Sequence, residues 1–225
     1  MKGHDFIDPT VPKAVPCGVY DINDNKGRVN VGTSADTADF AVDSIRYWWH
    51  RMGNTRYPKA RELLICADSG GSNGYRSHLW KLELQQLADR ERLTVTVCHF
   101  PPDTSKWNKI EHKLFSFITM NWRGRPLLSY RTIVKFIAAT TTQVGLTVKV
   151  QLDQKKYKTG IKVSPAVLET IAIQKHAGAR SMASETTRSR RVKNRRRGSE
   201  NSNSYYLTRP KWVIHAKCDV LDLGM

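Results

Sequence analysis

The chain has 225 residues, 40% of them hydrophobic and 9% aromatic, which suits one domain with an appendage, or two small domains. Lys and Arg outnumber Asp and Glu by 37 to 20, and the formal charge of +17 predicts attraction to nucleic acid or another polyanion. No apolar stretch approaches the roughly 20 residues of a membrane helix and no signal peptide opens the chain, so no membrane association is expected. A cytoplasmic, nucleoid-associated protein is the expectation, with Cys17, Cys66, Cys98 and Cys218 as buried free thiols.

Residues 1–16 carry Pro9, Pro12 and Pro16 among few apolar residues and read as an extended lead-in. Cys17–Ile22 and Arg28–Thr33 read as strands, joined through the turn formers Asn23–Gly27 into a hairpin. Asp36 or Thr37 can cap a helix reaching about Met52, with Phe40, Ile45 and Trp48 or Trp49 turned inward. The paired tryptophans could stack bases, but at helical spacing they are expected in the core.

Leu63–Ala67 is a short apolar run with the length of a buried strand. It ends in Asp68, and Gly70, Gly71 and Gly74 follow before a helical pattern with Leu79, Trp80, Leu82 and Leu84. Open α/β sheets place their chemistry at such a strand–turn–helix corner. Three readings compete there. A phosphate cradle lacks both the Lys-Ser/Thr of a P-loop and the spaced glycines of a dinucleotide fingerprint. A turn-capping aspartate is the plainest. A metal ligand needs a second carboxylate.

Leu93–Phe100 alternates β-branched residues and is stopped by Pro101-Pro102. A helix follows, with Ser105 or Asn108 at its N-cap and Ile110, Leu114, Phe117 and Ile118 as its apolar stripe. Glu111 sits in its first turn. Ser129 can cap a helix through Ala139, and Leu146–Val150 reads as a short strand. From Ser105 to Gly160 there are eleven Lys or Arg against two acids, Glu111 and Asp153. Between Lys175 and Arg197 nine Lys or Arg face the single Glu185, a composition expected to be disordered in isolation. Trp212–Ile214 restores apolar character and can pack back.

Asp68 and Glu111 therefore converge on one edge of a mixed sheet if their strands are parallel neighbours. Two facing carboxylates repel unless a cation lies between them, and Mg²⁺ suits such a site. The competing reading of Glu111 is stabilisation of the helix N-terminus, worth about 0.3–1 kcal/mol. His99 and His112 stand in no zinc spacing.

The Cys66–Arg76 block and the blocks Cys98–Pro102 and Thr104–His112 resemble the second- and third-acid blocks of bacterial DDE transposases of the ISAzo-thirteen insertion-sequence type. Gly18–Asp21 and Asn121–Gly124 match as well, so the likeness spans about residues 3–165. It implies an RNase H-like α/β fold with a mixed sheet flanked by helices, two Mg²⁺ or Mn²⁺ ions, and strand cleavage and transfer on DNA at insertion-sequence ends, with a homodimer as an allowed assembly. By this likeness Asp68 and Glu111 are catalytic metal ligands, and Arg76, Lys106, Asn108, Lys109, Lys113, Arg123 and Arg125 face DNA. It also puts a first acid on a central strand ahead of Gly18, which this chain does not supply. The expected layout is a lead-in over 1–16, a partial catalytic core over 17–165 lacking the first central strand, and a basic tail over 166–225. Asp21, on the second strand, is a weak substitute for that acid, and Trp212–Cys218 could fill the gap. A truncated transposase core, inactive alone, is the first expectation; a non-catalytic nucleic-acid binder is the alternative.

Overall fold

The computed structural model describes residues 12–100, 107–175, 184–188 and 212–223. Strand β1 (Lys13–Asp21) turns through Asn23–Asn25 into β2 (Lys26–Gly32), forming the expected hairpin with Gly18 opposite Val29. The strand begins at Lys13, inside the stretch read as a lead-in. Helix α1 (Ala38–Trp48) is capped by Thr37, whose hydroxyl accepts from the Phe40 amide at 3.4 Å. It runs on through a π-helical turn (Trp49–Gly53) into the short α2 (Asn54–Arg56). Both Trp48 and Trp49 are buried in the core and offer no exposed face to bases.

Next come β3 (Glu62–Ala67), a 3₁₀ turn (Gly71–Asn73), α3 (His78–Glu91) and β4 (Thr94–His99). A second π-helical turn (Glu111–Phe115) leads into α4 (Ser116–Trp122). Helix α5 (Tyr130–Ala138) is capped by Ser129, as the sequence predicts, and precedes β5 (Thr147–Asp153). Helix α6 (Pro165–Glu169), β6 (Ile173–Lys175), β7 (Ser184–Arg188), β8 (Val213–Cys218) and β9 (Leu221–Asp222) complete the described elements.

The strands form one mixed sheet in the order β5-β2-β1-β8-β3-β4-β7-β6, with β9 beside β1. The parallel pairs are β3–β4, β3–β8 and β2–β5. Helices cover both faces. Phe40, Ile45, Trp48, Trp80 and Leu84 fill the core under α1 and α3, and Ile110, Leu114, Ile118, Ile133 and Ile137 fill the other. This is the RNase H-like α/β arrangement expected from the motifs.

The central place, between β1 and β3, belongs to β8. It runs antiparallel to β1, with Cys17 opposite Cys218, and parallel to β3, with Ile65 beside Ile214. The facing edges of β1 and β3 are therefore both paired by a strand from the C-terminal part of the chain. Most of the basic run lies outside the described residues. Register also corrects the expectation of four free thiols: Cys17 and Cys218 form a disulfide, while Cys66 and Cys98 are free. Cysteines 201 positions apart carry no pairing signal until a strand sets them opposite one another.

Candidate functional site

Asp68 follows β3 directly, at the edge where the parallel strands β3, β4 and β8 all end. The glycine-rich loop after it is not an open cradle. Its 3₁₀ turn starts at Gly71, whose φ of +72° suits glycine. A Cβ on Gly74 would stand 3.0 Å from the Ser69 carbonyl. Asn73 then sews the loop to the sheet: its amide donates to the Ala216 carbonyl on β8 at 3.1 Å, and its own carbonyl meets His99 Nε2 at 2.9 Å.

Glu111 opens the π-helical turn, and its amide bonds the Asn108 carbonyl at 3.1 Å. Such wider turns often re-aim side chains at functional sites. Ile110, Leu114 and Phe115 anchor this segment against β1 and β2. The anchoring requires Gly18, since a Cβ there would lie 2.8 Å from the Phe115 ring.

Across from Gly18 in the β1–β8 register stands Lys217. Its ammonium pairs with Glu111 Oε1 and lies 4.0 Å from Asp68 Oδ2 and 3.4 Å from Asp219 Oδ1. One lysine nitrogen thus gathers three carboxylates, and Asp68 and Glu111 are brought together around it. Burial pushes the Asp68 carboxyl above its ordinary range; Lys217 pulls it back and Glu111 pushes it further up. Asp219 is raised for the same reasons in the same order. Lys217 is held above the ordinary lysine value although burial opposes it, because Glu111, Asp219 and Asp68 favour the charged form.

Asn108, expected to face DNA, is 2% exposed and braces the site from inside. Its amide nitrogen donates to Asp68 Oδ1 at 2.8 Å, so its oxygen is left to accept from His215 Nδ1 at 3.0 Å. That fixes the His215 proton on Nδ1. Burial, with Lys109 nearby, depresses His215 to about 4, so the ring is neutral at pH 7.

Arg76, Lys109, Lys113, Arg123 and Arg125 are exposed, and Lys106 lies outside the described residues. The Arg76 guanidinium rests over the Tyr75 ring, and that of Arg125 over Phe136. Asp21 is not part of the acid group. It sits at the far end of β1, opposite Ile214, and the Tyr57 hydroxyl holds its carboxylate at 2.8 Å. Lys217, Asp219 and His215 were missed from the sequence; the available signal was the apolar Trp212–Ile214 run, which marks a strand but not its register.

As arranged, these residues do not fit a divalent ion, because the Lys217 ammonium takes the position between Asp68 and Glu111. Among the described residues no group of three or more His, Cys, Asp or Glu is placed to hold a metal. Nor is any helix among them long and apolar enough to cross a membrane.

A family model described as Rhodopirellula transposase DDE domain matches residues 1–183. This agrees with the insertion-sequence type that the acid blocks resemble. No curated protein and no solved structure matches the chain. The strand that carries Lys217 lies outside the matched residues.

Proposed function

This chain belongs to the family of Rhodopirellula transposase DDE domains, and on that premise we propose that it is a DNA-binding transposase core whose own β8 strand holds the strand-transfer site shut. DDE transposase domains act in DNA transposition, on DNA, and generally use divalent metals. The observation that carries the proposal is the Lys217 ammonium between Asp68 and Glu111.

A divalent metal, were one bound between Asp68 and Glu111, would supply activation of an attacking oxygen and stabilisation of a leaving one. An ammonium brings a single charge and three N–H donors, and it cannot generate a hydroxide nucleophile at neutral pH. Asp68 and Glu111 would be the ligands for Mg²⁺ or Mn²⁺ once Lys217 is withdrawn or replaced. Asn108, braced by His215, holds Asp68 in place beside Lys217.

Binding is independent of that chemistry. Arg76, Lys109 and Lys113 belong to the segments that carry Asp68 and Glu111, and Arg123 and Arg125 follow α4. All five are exposed and can reach backbone phosphates, such as those of insertion-sequence ends, and the surplus charge makes this affinity strongly salt-dependent. The chain as folded therefore behaves as the non-catalytic nucleic-acid binder of the alternative reading while keeping the ancestry of an enzyme.

The test compares wild type with Lys217→Asp for Mn²⁺ binding and for nicking of supercoiled plasmid. Wild type is expected to bind DNA, take up Mn²⁺ weakly and leave the plasmid intact. Lys217→Asp is expected to bind Mn²⁺ at least tenfold more tightly, with any nicking lost on adding Asp68→Asn or Glu111→Gln. Metal-dependent nicking by wild type, abolished by Asp68→Asn, would overturn the proposal.

A further inference from the structure

The sheet edge opposite the carboxylates holds a pocket of about 510 Å³, where β1 ends, β2 and β5 begin and the π-helical turn Trp49–Gly53 closes over them. From Gly18, beside Lys217, to Asp21, in this pocket, the distance along β1 is about 10 Å. The lining includes five cations, Lys26, Arg28, Arg51, Arg56 and Lys149, against the two acids Asp21 and Asp24.

Both acids are already engaged. Asp24 takes Lys26 Nζ at 2.7 Å and Arg56 Nε at 3.2 Å. Asp21 accepts from the Tyr57 hydroxyl and, at 3.0 and 3.2 Å, from the amides of Asn23 and Asp24. Arg28, Arg51 and Lys149 have no carboxylate partner among the described residues.

Arg28 makes the imbalance specific. It is 9% exposed and donates through Nη2 to Gln151, while its Nε is cut off from solvent with no partner. Burial, followed by the charge of Arg51, makes its protonated form harder to keep. Arg28 and Arg51 line one cavity that carries more cations than acids, a setting suited to a tetrahedral oxyanion, which guanidinium forks bind through paired N–H···O bonds.

We propose that this pocket is a second phosphate-binding site, separate from the carboxylate edge, which takes a phosphoryl group from a nucleic-acid backbone or from a free phosphate compound. Arg28 forms its floor, and Arg51 and Lys149 close on the anion from the π-helical turn and from β5. The inference needs no metal and does not depend on Lys217.

Arg51 and Lys149 are exposed, so Arg51→Gln with Lys149→Gln removes two charges without touching the core. A control pair, Lys158→Gln with Lys162→Gln, removes two exposed charges elsewhere. Melting of the full chain is followed against inorganic phosphate, and binding of a labelled DNA oligonucleotide against salt. Phosphate is expected to raise the melting temperature of wild type and the control, and not of the pocket variant. If the source is a DNA backbone, the pocket variant also loses at least tenfold more oligonucleotide affinity than the control, and its log–log salt slope flattens by about 2. If only the phosphate response is lost, the source is a free phosphate compound. Equal responses from all three proteins, in both assays, would overturn the site.

Discussion

Asn108 donates to Asp68 Oδ1 at 2.8 Å while its own oxygen accepts from His215 at 3.0 Å, so one amide joins a carboxylate at the end of β3 to a ring on β8. Hydrogen bonds to charged groups contribute about 1.5–3 kcal/mol, and a buried donor left without a partner costs a similar amount. Asn108→Ala is therefore expected to lower unfolding stability by about 2–3 kcal/mol, read from urea denaturation. A change below about 0.5 kcal/mol, the level of an ordinary surface substitution, would mean that the amide braces nothing.

His215 supplies a pH dependence of definite sign. Its folded value of about 4 lies below the ordinary 6.5, so between these limits the unfolded chain binds a proton that the folded one refuses. Stability is full above the upper limit and falls as pH drops through the window, by up to about 3 kcal/mol. Raised carboxyls at Asp68 and Asp219 act in the opposite sense and are common to both proteins when wild type is compared with His215→Gln. Wild type is expected to lose more stability than the variant between pH 6.5 and 4; parallel curves would remove His215 as the cause.

Gly18 sets how closely the Glu111 segment approaches β1. In Gly18→Ala the new methyl would meet Phe115 Cζ at 2.8 Å and Ile110 Cδ1 at 3.3 Å, distances that neighbouring ring and chain must yield to. Overpacking of this kind costs about 1–3 kcal/mol. Calorimetry of the variant is expected to show that loss, and an unchanged melting temperature would show that the helix has room to retreat freely.

The Cys17–Cys218 bond closes a loop with a sequence separation of 201. In the chain-entropy view, crosslinking so long a loop stabilises the fold by at most about 5 kcal/mol. Dithiothreitol is expected to lower the melting temperature of wild type and leave Cys218→Ser unmoved. The same response from both proteins would mean that the two sulfurs are not joined.

The acid-bearing half of the site was legible in the sequence because local rules fix it. A short apolar run before Asp68, β-branched alternation before Pro101 and an apolar helical stripe around Glu111 place both carboxylates at one edge of parallel strands. The likeness to a transposase core then implied a metal-ligand role for them. Lys217 was not legible, since its role depends on which residue of a distant strand lies opposite Gly18, and register is a tertiary property that one position of slip would reverse. Asn108 was misdirected for a related reason: between Lys106 and Lys109 it looks like a surface residue, and the β8 ring packed behind it explains its burial. The two π-helical turns left no trace in the apolar spacing, yet one holds Glu111 and the other Arg51.

The central strand reaches its place from more than a hundred positions beyond β4, and this governs when the molecule can mature. During synthesis the hairpin, β3 and β4 leave the ribosome long before residue 213, with two facing edges waiting for a common neighbour. Contacts of such high sequence separation form slowly and leave strand edges open to other chains meanwhile. Yield in the cell should accordingly depend on temperature and on chaperone supply during that interval more than on the final strength of the fold.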